Sequence, residues 1–270
     1  MLRPARAKGA KMLRFSANLG FLWRELPLLE RVRRAKAAGF DAVELHFPYD
    51  VPAAELQAVL AETGLPVVGI NSAPGNVAAG DFGLAALPGR EEEARASIDQ
   101  ALAYAQAIGA GAVHVLAGKP GAADAASVRQ AFLKGLDYAA ERAGAAGPKI
   151  LVEPLNSRDV PGYFLSTSEQ AAGLIAELGR PNVKIMFDCY HVQIGEGDLT
   201  RRFEKLLPII GHLQIAAVPS RAEPDEGEIA YERLLSAYEA LGYAGYVGAE
   251  YRPRTTEEAG MGWLNAFRGG

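Results

Sequence analysis

Four short stretches place oxygen-bearing side chains where apolar, strand-like runs stop: V-E-P with Glu153, F-D-C-Y-H with Asp188 and His191, H-L-Q-I with Gln214, and G-A-E-Y with Glu250. Taken singly, an acid at such a position reads as a helix cap or a solvated rim residue. Taken together, the four point to one site. Carboxylates a few ångströms apart repel strongly away from water, so they converge only around a cation. The donors are oxygens. Cys189 follows Asp188 and should point the other way along a strand. The set therefore favours a hard divalent metal, Mg2+ first and Mn2+ as the alternative, over Zn2+. A metal flanked by two carboxylates suits proton transfer next to a carbonyl, with charge building on two neighbouring oxygens of an enediolate. Glu153 and Glu250 are the natural proton-transfer pair. No serine or cysteine sits in a nucleophile elbow, so acyl transfer has no support.

Other residues could complete the site, each with a plainer alternative. His191 would donate a hydrogen bond to a substrate oxygen, or else pack against backbone. Arg221, in P-S-R-A-E-P, would clamp an anionic substrate through its guanidinium, or else pair with Glu223 or Asp225 at the surface. Lys119, in L-A-G-K-P-G, would serve the same end, or stand as a solvated loop lysine. Asp159 and Asn156 would bind substrate hydroxyls, or cap a turn. Glu44, His46 and Asn71 mark the ends of two earlier strand patterns and could form the pocket wall.

To bring these positions together the chain must alternate strands and helices. Strand-like runs are expected at Leu13–Leu19, Ala42–Phe47, Val67–Asn71, Ala112–Leu116, Ile150–Leu155, Val183–Asp188, His212–Ala216 and Tyr246–Tyr251. Helical periods lie between them, at Leu26–Ala38, Ala53–Thr63, Glu91–Ile108, Val128–Ala143, Ser168–Leu178, Leu199–Leu207, Tyr231–Leu241 and Glu257–Phe267. Gly39, Gly64, Gly109, Gly179 and Gly242 stop five of these helices. This order predicts an α/β fold, a single-domain (β/α)8 TIM barrel, whose chemistry lies at the C-terminal ends of the strands. A doubly wound sheet is the rival, but neither G-x-G-x-x-G nor a Walker motif occurs. The glycine-rich stretch Ala73–Arg90 is expected to be a lid over the barrel mouth.

Bulk properties agree. A chain of 270 residues suits one barrel, and its 49% hydrophobic content can fill a core. The net charge of −4 argues against nucleic acid as a partner. One cysteine forbids an internal disulfide and fits a reducing, cytoplasmic setting. No apolar run reaches the roughly 18 residues of a membrane span. Residues 1–11, with Arg3, Arg6, Lys8 and Lys11, are expected to be a disordered basic extension to a barrel domain of residues 12–270. Met12, beside the first strand pattern, is an alternative start. Homo-oligomerisation is left open.

Several motifs carry a family resemblance: R-F-S-A-N-L (Arg14–Leu19), F-P-Y-D (Phe47–Asp50), L-P-G-R-E-E-E (Leu87–Glu93), E-P-L-N-x-x-D-x-P-G (Glu153–Gly162), D-C-Y-H-x-Q (Asp188–Gln193), G-H-L-Q-I-A (Gly211–Ala216), E-P-x-x-G-E-I (Glu223–Ile229) and E-Y-R-P (Glu250–Pro253). The chain resembles the bacterial hydroxypyruvate isomerase family, within the xylose-isomerase-like barrels, from Leu13 to about Arg268. The resemblance implies that Glu153, Asp188, Gln214 and Glu250 ligate a divalent cation and that Glu153 and Glu250 move the proton. It implies a small hydroxy-oxo acid as substrate, with hydroxypyruvate and tartronate semialdehyde interconverted. N-S-A-P-G-N (Asn71–Asn76) looks more like the related 2-oxo-tetronate isomerases. Ketose 3-epimerases look like relatives with histidine where this chain has Gln214. A related endonuclease for abasic DNA uses a histidine-rich zinc cluster, and four histidines in the whole chain count against it.

Overall fold

A computed structural model describes residues 13–268. The expected basic extension and the alternative start at Met12 lie outside the described residues. Eight strands, β1 (Arg14–Asn18), β2 (Ala42–Leu45), β3 (Val67–Asn71), β4 (Ala112–His114), β5 (Lys149–Val152), β6 (Val183–Asp188), β7 (Ile210–Ile215) and β8 (Tyr246–Ala249), pair in sequence order. All pairings are parallel, and β8 returns to β1 to close the barrel.

Several strands stop earlier than their apolar runs. Leu116 and Leu155 are buried but leave the ladder: Leu116 N donates to Ser72 Oγ at 3.1 Å and Leu155 N donates to the Leu165 carbonyl at 2.9 Å. Burial continues where pairing has ended, which apolar content alone does not reveal.

The helices are α1 (Leu28–Ala37), α2 (Ala53–Thr63), α3 (Glu91–Ile108), α4 (Ala125–Ala143), α5 (Ser168–Leu178), α6 (Cys189–Gly195), α7 (Leu199–Leu206), α8 (Tyr231–Ala240), α9 (Glu257–Gly260) and α10 (Gly262–Arg268). α4 starts earlier than its periodicity suggests because Asp124 caps it, accepting from Ser127 N. The expected last helix is two short ones. A Cβ at Gly260 would lie 2.2 Å from Glu223 Oε1, so the chain meets a buried carboxylate there and breaks stride. α6 was not expected at all.

Strand residues alternate between two cores. Phe15, Val43, Val113, Val152, Phe187, Leu213 and Val247 face the helices and join the main hydrophobic cluster. The opposite faces fill the barrel, and they divide. Ala112, Leu151 and Met186, from β4 to β6, form a separate apolar cluster. Across from them stand the buried polar side chains Ser16, Asn18, Glu44, His212 and Gln214. Gly248 of β8 makes room for them, since a Cβ there would lie 2.3 Å from Glu44 Oε1 and 2.9 Å from His212 Nε2.

Candidate metal centre

A cavity of about 760 Å3 opens at the C-terminal ends of the strands, with Glu153, Gln214, Glu250, His191, Arg221, Asn71 and Asp159 on its wall. Register sets part of the geometry. Asp188 is paired with Gln214, and Glu153 and Glu250 directly follow β5 and β8. Asp188 also ends β6 and caps α6: its Oδ1 accepts from Tyr190 N at 2.8 Å, which commits one oxygen and leaves Oδ2 beside His191 and Glu153. The cap turns the chain so that His191, in the first turn of α6, faces back towards the acids. Cys189 points away, its sulfur 3.9 Å from the Tyr238 hydroxyl.

Ligand atoms of Glu153, Asp188 and His191 lie within 4.8 Å of one another, all buried. His191 Nδ1 accepts from Asn156 N at 3.0 Å, so in the neutral ring the proton sits on Nε2. That nitrogen is 3.7 Å from Asp188 Oδ2 and 4.0 Å from Glu153 Oε1. Burial, helped by Arg221, holds the imidazole well below its ordinary pKa, in the neutral form. Of the two roles weighed for His191, the backbone contact is made by Nδ1 while Nε2 remains aimed at the site.

The acids are far from their ordinary state. Burial pushes Glu153 well above the carboxylate range, with Glu250 and Asp188 adding to the shift. Burial likewise raises Glu250 to about 8 and Asp188 to about 6, both against the pull of Arg221. Among the described residues, Glu153 Oε1, Asp188 Oδ2 and Gln214 Oε1 are buried without a hydrogen-bond partner. Buried polar atoms are rarely left so. These three oxygens belong to three of the four candidate ligands; both ring nitrogens of His114, His212 Nε2, Arg221 Nε and Ser168 Oγ are likewise unpartnered. The buried cluster of Glu153, Asp188 and His191 fits a metal ion.

Arg221 supplies the positive charge nearest these acids. Its Nη2 donates to Glu250 Oε1 at 2.6 Å and lies 3.6 Å from Asp188 Oδ2. The guanidinium carbon sits 4.6 Å from the centre of the Phe21 ring and 4.8 Å from that of Tyr190. The alternative of a surface pair with Glu223 or Asp225 is overturned. Arg254 takes both acids, at 2.9 Å and 2.8 Å. Arg221 is free to turn inward because its backbone adopts φ 55°, held by Arg221 N to Ala217 O and by Arg252 N to Arg221 O.

Asp159 sits at the exposed rim. It accepts from the Tyr190 hydroxyl at 2.5 Å and takes part in the Asn156 turn, so both of its expected roles are compatible with its position. Asn71 lines the cavity wall. Lys119 does not reach it: the side chain is exposed, with Nζ 5.8 Å from the centre of the Phe82 ring, and Phe82 is what lines the cavity. Gly118, at φ 102°, turns against Gly83 and leads Lys119 outward. The back of the expected lid is a fixed wall, for the same reason. Gly83 pairs with Ala117 in an antiparallel bridge, Ala86 N donates to the Ala117 carbonyl at 2.7 Å, and Leu84, Ala85 and Ala86 are buried.

Three residues matter more than their sequence context suggests. Asn18 Nδ2 donates to Glu250 Oε2 at 2.7 Å. His114 lies buried with Nδ1 3.7 Å from Glu153 Oε2, and burial lowers its pKa to about 3. Glu44 is not simply wall. Burial opposes its charge, yet His212, Ser16 and Gln214 hold its carboxyl below the usual range. The only hint for Asn18 was its place inside R-F-S-A-N-L.

Residues 32–267 match the family model described as xylose isomerase-like TIM barrel. The chain belongs to this family. Among curated relatives, a 2-oxo-tetronate isomerase of Cupriavidus necator is 48% identical, covering 96% of this chain and 100% of its own. The hydroxypyruvate isomerase of Escherichia coli is 42% identical, covering 95% and 100%. A solved structure described as AP endonuclease, family 2, from Brucella melitensis superposes with a TM-score of 0.92 at 44% identity, over 95% of this chain and 100% of that one. The resemblance read from the motifs holds, and the chain is a hydroxypyruvate isomerase-like enzyme.

Proposed function

We propose that the chain is a divalent-metal-assisted isomerase that shifts a carbonyl between adjacent carbons of a short hydroxy-oxo acid, interconverting hydroxypyruvate and 2-hydroxy-3-oxopropanoate. The observation that carries this reading is the trio of buried, unpartnered oxygens on Glu153, Asp188 and Gln214 beside a cavity that also holds Glu250. Glu153, Asp188, Gln214 and Glu250 would hold the cation, Mg2+ or Mn2+. Bound there, it supplies positive charge for developing oxyanions.

The chain's own residues do the rest. Glu153 accepts no hydrogen bond among the described residues, so it is the carboxylate free to take the C3 proton. Loss of that proton gives the enediolate. Return of a proton to C2, from Glu153 or from Glu250, gives the product, while the hydroxyl proton on C3 passes to the oxygen on C2. His191 Nε2–H is available to donate to a substrate oxygen. The Arg221 guanidinium is available to the substrate carboxylate. Tyr190 and Phe21 flank the guanidinium and limit its solvation.

A second reading, the four-carbon 2-oxo-tetronate, is favoured by the 48% relative and by a cavity roomier than three carbons need. The reaction is the same, a proton moved from C3 to C2. The endonuclease description of the solved relative draws no support from the cluster of Glu153, Asp188 and His191, which holds a single imidazole. The test is proton NMR in D2O with Mg2+, on hydroxypyruvate and 2-oxo-tetronate side by side. Conversion of hydroxypyruvate with deuterium entering at C2 is expected. Conversion of the four-carbon acid alone moves the substrate and keeps the chemistry. Silence on both rejects the reading.

A further inference from the structure

Gln214 differs from the other candidate ligands in being an amide. A carboxylate offers oxygen whichever way it turns, whereas an amide offers oxygen in one orientation and N–H2 in the other. If Gln214 is to present oxygen to a cation, something must fix that orientation.

The buried layer beneath the site does so. Gln214 Nε2 donates to Glu44 Oε2 at 2.7 Å and to Glu250 Oε2 at 2.5 Å. A carboxylate oxygen only accepts, so a rotated amide would set Oε1 against Glu44 Oε2 at the same short distance. With the nitrogen committed, Oε1 is the atom left over, buried and unpartnered. Of the two acceptors, Glu250 is itself a candidate ligand and already bears Arg221 on its other oxygen. Glu44 has no such duty. Ser16 Oγ donates to Glu44 Oε1 at 2.5 Å, His212 Nε2 lies 3.1 Å from the same atom, and Gly248 leaves the space that the cluster fills.

We propose that Glu44 is a positioning residue of the metal site: by accepting from Gln214 Nε2 it keeps the amide oxygen free for the cation. This rests on the metal reading above. Partners that orient a metal ligand typically contribute about 10- to 100-fold in metal affinity. The role needs an acceptor at residue 44, not a charge, and that makes it separable from its rivals.

The experiment is Mn2+ binding to the metal-free full chain without substrate, followed by the EPR signal of the free ion, alongside thermal unfolding of each metal-free protein. Glu44→Met keeps the volume and removes the acceptor; a Kd raised about 10- to 100-fold is expected. Glu44→Gln removes the charge but can still present oxygen to Gln214 and N–H2 to Ser16; a Kd within about 3-fold of the parent is expected. Equal weakening in both variants overturns the proposal in favour of charge alone. Unchanged affinity in Glu44→Met with a lowered unfolding midpoint overturns it in favour of packing. Should Glu44→Met not fold, Ser16→Ala decides. It frees the carboxylate from its hydroxyl donor, and a raised Kd is expected while an unchanged one overturns the proposal. A parent chain that binds no Mn2+ removes the metal reading itself, a result distinct from any of these.

Discussion

The two halves of the barrel interior treat the same residue type in opposite ways. On the β4–β6 side, Ala112, Leu151 and Met186 form the floor, and Glu153 stands above them with no hydrogen-bond donor. On the β7–β2 side, Glu250 stands above a polar layer and accepts from Asn18, Gln214 and Arg221. Burial still raises the pKa on both sides, well above the usual range for Glu153 and to about 8 for Glu250. Two glutamates that look equivalent by position therefore differ in how they are held. One has an oxygen without a donor, and the other is held by three.

Glutamine substitutions should break this symmetry most visibly. Glu153→Gln and Glu250→Gln should each lower kcat by about 10^2- to 10^4-fold, the range that a positioned acid or base contributes. The metal-free proteins should then part company. Removing the Glu153 carboxyl takes away a buried acid with no partner, so its unfolding midpoint at about pH 8 should rise above the parent's. Removing the Glu250 carboxyl leaves Arg221 without its shortest ion pair, so that midpoint should fall. Melting curves in chelator test this, and shifts of equal sign would end the distinction.

The roof of the cavity repeats the contrast, with Arg221 above one half and Phe82 on the wall of the other. Arg221→Ala should raise KM for the acid substrate by about 10- to 100-fold, from the ~1.5–3 kcal/mol of a charged hydrogen bond, and change kcat less. Phe82→Ala should change KM only a few-fold. Steady-state kinetics on the two variants would sharpen the comparison, and a larger effect at Phe82 would invert it.

Acidity gives a smaller effect. Glu250 and Asp188 have folded pKa values of about 8 and about 6, raised above those of an unfolded chain. Stability from holding these protons is full below the unfolded values and is lost as pH rises through the folded ones. The metal-free protein should therefore lose stability from about pH 5 to about pH 8.5 at these sites. A cation that must displace the same protons should bind more tightly over that range. The rise in unfolding midpoint on adding Mg2+ should be larger at about pH 8.5 than at about pH 6. An increment independent of pH would mean that these acids do not meet the ion.

Much of this was legible in the sequence, because the fold announces itself through eight repeats of one pattern and because each candidate ligand ends an apolar run. Of the four, Glu153 and Asp188 cluster with His191, while Gln214 and Glu250 are joined to each other by a hydrogen bond. What stayed hidden depends on contacts between distant residues. Glu44 and Gln214 are 170 positions apart, and nothing local marks Glu44 as more than wall. α6 is only 7 residues long, too short for a helical period, and its start depends on the Asp188 cap. Of the two readings of Lys119 the solvated loop lysine holds, because two facing glycines send it outward. Arg221 was left between surface and site because its acidic neighbours in sequence are taken by Arg254, which sequence proximity cannot show.

The loop of residues 73–90 provides the mildest test of the contrast between a fixed apolar wall and a polar half organised by charge. Its back section is sewn to the chain beyond β4: Ala85 N donates to the Leu116 carbonyl at 3.3 Å and Ala86 N to the Ala117 carbonyl at 2.7 Å. Its front section is tied more lightly. Val77 is 63% exposed, and the 3-10 turn Val77–Ala79 is held within the loop, by the Asn76 cap and by Asp81, which accepts from Asn76 N and pairs with Arg90. A lid that ordered only on substrate binding would show rapid amide exchange along its whole length in the free protein. The anchored wall instead predicts slow exchange at Ala86, faster exchange at Ala78 and Ala79, and substrate protection confined to the front section. Hydrogen-exchange mass spectrometry with and without substrate separates the two. Equal, fast exchange at Ala79 and Ala86 in the free protein would return the whole loop to the role of a lid.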